Sequence, residues 1–159
     1  MTHSTRFMTI LLMVMSAHFL PVRSLGAETG CTRKDATKAE SEASGLRSWQ
    51  QVFDSYQRYR KCDDAAVSEG YSSTVASLLA THWEQLADLL TLLRAHPAFE
   101  RFVLLHLDDT MTREQDAQIQ RNVATACPRN GAQFCQSVRK RFSELNSEPQ
   151  SNTTSPPKR

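Results

Sequence analysis

From residue 45 to residue 145 the apolar side chains recur at three- and four-residue intervals, and no stretch of useful length alternates with period two. A spacing near 3.6 puts such residues on one face of a helix, whereas a half-buried strand needs strict alternation. The chain is therefore expected to be all-α, a compact bundle of about five to six short helices. Leu46, Trp49, Val52, Phe53 and Tyr56 mark a first helix over 46–61. A second starts near Asp63 and carries Val67, Tyr71, Val75, Leu78 and Leu79 as its stripe. Thr81-His-Trp-Glu84 has the capping-box pattern, in which the hydroxyl accepts from a free N–H and the acid reaches back, so a third helix is predicted to open there. Leu86, Leu89, Leu90 and Leu93 form its buried side. Pro97 suits the first position of a fourth helix, continued by Phe99, Phe102, Val103 and Leu107. Thr112-Arg-Glu-Gln115 is a second capping box, ahead of Ile119, Val123 and Ala126, and a sixth helix follows Gly131 with Phe134, Val138 and Phe142.

The flanks differ in kind. Arg6, an apolar run over Met8–Leu20 and small residues before Glu28 make residues 1–27 a signal peptide. That run is shorter than the roughly 20 residues of a membrane span, so no stable span is expected after cleavage, and the protein is expected to be exported, periplasmic or secreted. Residues 28–44 are polar without an apolar period and are expected to be a flexible lead-in to a helical domain over 45–145. Residues 146–159, with three prolines, are expected to be disordered.

Charge narrows the partners. The whole chain carries 19 basic and 17 acidic residues, but Arg6 and Arg23 lie in the signal, and residues 28–159 carry 17 of each. Nucleic-acid binders need a basic excess or patch, so nucleic acid is not an expected partner. The clusters Arg58/Arg60/Lys61 and Arg139/Lys140/Arg141 read as solvated helix ends, where the helix dipole favours cations.

Export also decides how the four cysteines are read, because thiols pair outside the cytoplasm. Four cysteines allow three connectivities. Cys127 and Cys135 flank a tight turn, Pro128-Arg-Asn-Gly131, which suits the end of one helix and the start of the next. Cys127–Cys135 is therefore expected, leaving Cys31–Cys62. No CxxC pair or Cys/His cluster has ligand spacing, so neither a metal nor another cofactor is expected.

Catalytic patterns are sparse. GxSxG, HExxH and P-loop motifs do not occur. His106 with Asp108 and Asp109 offers an acid/base pair or part of a ligand set, and Ser72 and Ser73 have nothing local to activate them. No catalytic residue is expected. The most distinctive stretch is Cys62–Tyr71. Its acidic residues suit a helix N-terminus. Gly70 inside the helix costs about 1 kcal/mol against alanine, which calls for a reason such as the close approach of another helix. Asp63, Asp64, Glu69 and Tyr71 are expected to form a face that docks a partner.

Cys62-Asp-Asp, Glu69-Gly-Tyr-Ser72 and the later Cys127-Pro and Phe134-Cys135 give the chain a family likeness. Over Trp49–Val138 it resembles small exported bacterial proteins with an all-helical core and a C-terminal cysteine pair, a resemblance that implies no established activity. In size, export and helicity the chain is loosely similar to periplasmic immunity proteins that neutralise cell-wall amidase effectors, though none of their residues can be placed here. The expected function is that of an exported helical protein that binds an envelope or secreted protein, as an inhibitor or immunity-type factor. The alternatives are a small envelope hydrolase using His106 and nearby carboxylates, and a structural envelope component.

Overall fold

A computed structural model describes residues 30–147; the signal peptide expected over 1–27 lies outside the described residues, as does the tail expected over 146–159 except for Asn146 and Ser147, which end the last helix. Among the described residues seven α-helices follow one another: α1 Arg33–Ala43, α2 Trp49–Tyr59, α3 Ala65–Thr81, α4 Leu86–Ala95, α5 Pro97–Leu105, α6 Arg113–Thr125 and α7 Ala132–Ser147. Single 3-10 turns lead into α4 and α7, and no strand occurs among the described residues. The all-α expectation is met, with both expected disulfides, Cys31–Cys62 and Cys127–Cys135.

Helix α3 is the axis of the bundle. It packs against α1 and α6, while α4 joins α2 to α5, and α7 closes on α5 and α6. Its stripe is buried from Val67 to Ala80. Trp49 of α2, Tyr71 of α3 and Phe99 of α5 are the largest fully buried side chains. Burial of this kind contributes roughly 1.5–3 kcal/mol per large apolar side chain.

Aromatic rings run through this core without a break. Phe53 meets Phe99 at 5.0 Å between ring centroids, Phe99 meets Phe102 at 5.7 Å, and Phe102 meets Tyr71 at 5.1 Å and His106 at 4.4 Å.

Helix α1 corrects the flexible lead-in expected over 28–44. Thr32 caps it, its hydroxyl accepting from the Asp35 N–H at 3.1 Å. The buried face carries only Ala39 and Ala43, with Ala36 partly covered, so the signal is a small-residue stripe that no large apolar period announces. Two devices hold it. The Cys31–Cys62 bond ties its start to the turn before α3, and the Thr74 hydroxyl of α3 donates to the Ala43 carbonyl at 2.6 Å, satisfying a free C-terminal acceptor.

Gly70 explains the fit. A Cβ there would lie 2.7 Å from the Ala43 Cβ and 3.2 Å from the Ser44 nitrogen. The helix that comes close is α1. Gly70→Ala should therefore destabilise the fold by about 1–2 kcal/mol, overpacking outweighing the helix propensity gained. Ala43→Gly in the same chain should recover much of that loss, read as a shift in the urea unfolding midpoint. Simple addition of the two single effects would show that the contact is not the cause.

The second correction concerns Thr81. It is the last residue of α3, not a cap: its hydroxyl donates to the Ser77 carbonyl at 2.8 Å, and no side chain caps the turn Trp83–Gln85. Leu78, Leu79 and Ala80 are all buried, and their burial carries α3 through Thr81 itself. The carbonyls freed at its end are met by Asn122 of α6, whose amide donates to Leu79 and Ala80 at 2.9 and 3.1 Å. The other capping box forms as expected, with Thr112 and Gln115 bonded reciprocally.

The basic clusters are also more than solvated ends. Arg139 donates to the Val123 carbonyl at the end of α6, and Arg141 to the Leu107 carbonyl beyond α5, each at 2.8 Å. Arg58 reaches Glu42 of α1 at 3.1 Å. A guanidinium suits this work because its fork offers several donors on a long stem.

Candidate functional site

The four residues expected to form a docking face do not share one. Tyr71 is fully buried, its hydroxyl 2.8 Å from the Ser55 hydroxyl and its ring in the aromatic core. Burial pushes its hydroxyl above the usual tyrosine range; the Ser55 hydrogen bond opposes this, and the charges of Asp63 and Glu42 add to it. Tyr71 thus belongs to the apolar stripe that runs from Val67 to Val75, four residues from each, and not to the surface. Asp63 is turned inward, with its side chain 19% exposed. Only Asp64 and Glu69 face solvent, Asp64 capping α3 by accepting from the Ala65 N–H at 2.8 Å.

Asp63 instead joins a polar cluster assembled from three parts of the chain. His106, 3% exposed at the C-terminal cap of α5, sits with Nε2 at 3.1 Å from Asp63 Oδ2. Its Nδ1 lies 3.1 Å from the hydroxyl of Ser72, which is buried in α3. The Ser72 hydroxyl donates to Asp108 Oδ2 at 2.6 Å. Asp108 also accepts from the Thr110 N–H at 2.9 Å. Burial alone would raise the Asp108 carboxyl, but the hydrogen bonds from Ser72 and Thr110, helped by His106, hold it below the usual carboxylate range. Asp63 Oδ1 is buried without a hydrogen-bond partner.

Chemically, a serine, a histidine and an aspartate in sequence have the connectivity of an acid–base relay. Two features of the geometry tell against nucleophilic use. Ser72 is 1% exposed, and its proton goes to Asp108 across 2.6 Å, not to the ring of His106. Asp109, the other half of the expected His106 pair, is exposed and outside the cluster. Ser72 escapes sequence reasoning because its partners lie 34 and 36 residues away. Asp63 and His106 are 43 residues apart, and no local pattern joins them.

Two of the concave regions of the surface bear on a candidate site. A cleft of about 330 Å³ beside the cluster is lined by Glu69, Ser72, Ser73, Thr110, Met111 and Gln115, among others. A groove of about 440 Å³ runs between α5 and α7, with Pro97, Leu104 and Leu105 on its apolar side and Arg101, Lys140 and Arg141 around it. Leu105 is 54% exposed, the one large apolar side chain so exposed among the described residues. Ser137-Val-Arg-Lys140 in this groove has the SxxK spacing of some serine acyl-transfer enzymes. Its geometry is different: Ser137 donates to Glu100 at 2.8 Å, and Lys140 lies 3.7 Å from Glu144.

Among the described residues, no three His, Cys, Asp or Glu side chains are grouped so that they could hold a metal ion. No family model, curated protein or solved structure matches this chain.

Proposed function

We propose that this chain is an exported binding protein whose contact surface is the α5–α7 groove. The observation that carries the reading is Leu105, a large side chain left in solvent beside Leu104 and Pro97, whereas the other large apolar side chains among the described residues are buried wholly or in part. An exposed apolar patch rimmed by charge is what protein-binding surfaces use, the apolar centre supplying affinity and the rim orientation. Two disulfides, and the fact that none of the described helices is long and apolar enough to cross a membrane, are compatible with work outside the cytoplasm. A protein partner, from the envelope or secreted, fits a groove that has an apolar side and is bordered by both charge signs.

This moves the expected surface from the start of α3 to the groove between α5 and α7. Leu105→Glu should weaken partner binding at least about tenfold while leaving the helical circular dichroism intact, because the side chain is not part of the core. Charge reversal at both Asp64 and Glu69 should leave binding unchanged. Quantitative capture from envelope extract with the three chains in parallel distinguishes the surfaces. Retention of the partner by Leu105→Glu, with its loss on reversal at Asp64 and Glu69, would return the surface to α3.

A further inference from the structure

The protons of the His106 cluster can be counted. Asp108 takes the Ser72 proton at Oδ2 and the Thr110 amide and hydroxyl protons at Oδ1. A hydroxyl has one proton to give, so Ser72 must accept across its 3.1 Å contact with His106, which places a hydrogen on Nδ1. On the other side Nε2 faces Asp63 Oδ2 at 3.1 Å, and a bare ring nitrogen cannot hydrogen-bond to a carboxylate oxygen unless a proton lies between them. The arrangement therefore holds one proton more than a neutral imidazole between two carboxylates.

Several groups face the ring: Asp63 from the turn before α3, Tyr71 and Ser72 from α3, Phe102 from α5, and Asp108 beyond α5. From α7, Arg141 reaches the neighbouring Leu107 carbonyl. If the additional proton leaves, Nε2–H can stay on Asp63, but Nδ1 becomes an acceptor. Ser72 then has two acceptors and one proton. Once it turns to the ring, Asp108 loses its donor from α3.

We infer that this cluster is a proton-operated latch: protonated, it clamps the turn between α5 and α6 onto α3, and on losing its additional proton it frees that turn beside the cleft lined by Glu69, Ser73 and Thr110. The sign follows from linkage. The clamped state binds more protons than the freed state, so clamping is present at lower pH and is lost as pH rises through the titration of the cluster.

Nitrogen-15 NMR of the His106 ring, with amide exchange of Thr110 and Met111, tests the latch on the folded, disulfide-bonded protein. At the acid end of the pH range over which the protein stays folded, both ring nitrogens should carry protons and both amides should be protected. Towards the alkaline end, as one ring proton is lost, protection, corrected for intrinsic exchange, should fall about tenfold or more, as expected for loss of the Ser72–Asp108 hydrogen bond to a charged group. Ser72→Ala and Asp108→Asn should each give the low protection at both ends of the range. A ring that is singly protonated at the acid end would overturn the latch, as would amide protection that stays constant while the ring loses its proton, or variants that keep the pH response.

Discussion

His106→Ala is expected to lower the unfolding free energy by about 3–5 kcal/mol, the range for removing one partner from a buried ionic group. The loss of ring volume is the smaller part. Without the imidazole, Asp63 keeps a carboxylate that is only 19% exposed, one oxygen of which already has no partner. Ser72 would stay on Asp108, so the damage should centre on Asp63 and on the turn that enters α3. Urea unfolding of His106→Ala beside His106→Ala/Asp63→Asn separates the two contributions. The second chain should regain part of the loss, because a neutral amide is less costly to leave in that place than a carboxylate. If His106→Ala lost no more than about 1 kcal/mol, a typical neutral hydrogen bond, Asp63 would have to be reaching water instead.

Replacing Cys31 and Cys62 together by serine should cost about 3–4 kcal/mol on the chain-entropy account, and it should do so unevenly. The bond spans 31 residues, against 8 for Cys127–Cys135, so its loss frees more of the unfolded chain. In the native state it frees chiefly α1, whose own contribution to the core is two buried alanines and one partly buried. Amides of Ala39 and Ala43 should exchange much faster in that variant, while those of Val75 and Leu78 should change only as far as global stability does. The corresponding serine pair at Cys127 and Cys135 should cost less and leave α1 protected. Equal exchange in α1 with and without Cys31–Cys62 would mean that Gly70 and Thr74 hold the helix unaided.

Much of the architecture was legible because large apolar side chains advertise it. Trp49, Phe53, Val75, Leu89, Phe99, Ile119 and Val138 all lie where helical spacing puts them, on the buried sides of their helices. Helix α1 was not legible, since alanines spaced for close packing look the same as alanines in a polar linker. The mark it left was on another helix: Gly70 announced a close neighbour without naming it. Thr81 shows a local motif overruled by burial one turn earlier. The His106 cluster was illegible for a different reason. Each of its members has an ordinary local role, Asp63 at a helix start and Ser72 within a helix, and only the packing of α3 against the end of α5 brings them into contact. Tyr71 could have been assigned from its place in the stripe, and its acidic neighbours in sequence gave the wrong lead.

The two disulfides join first cysteine to second and third to fourth. A polypeptide threaded N-terminus first into an oxidising compartment delivers its thiols in that same order, so Cys31 and Cys62 can meet before Cys127 and Cys135 have emerged. In such a passage each thiol finds its native mate as the nearest one already available. Maturation of this topology then calls for an oxidant but little reshuffling, and the chain would be served by a compartment in which disulfide isomerisation is slow.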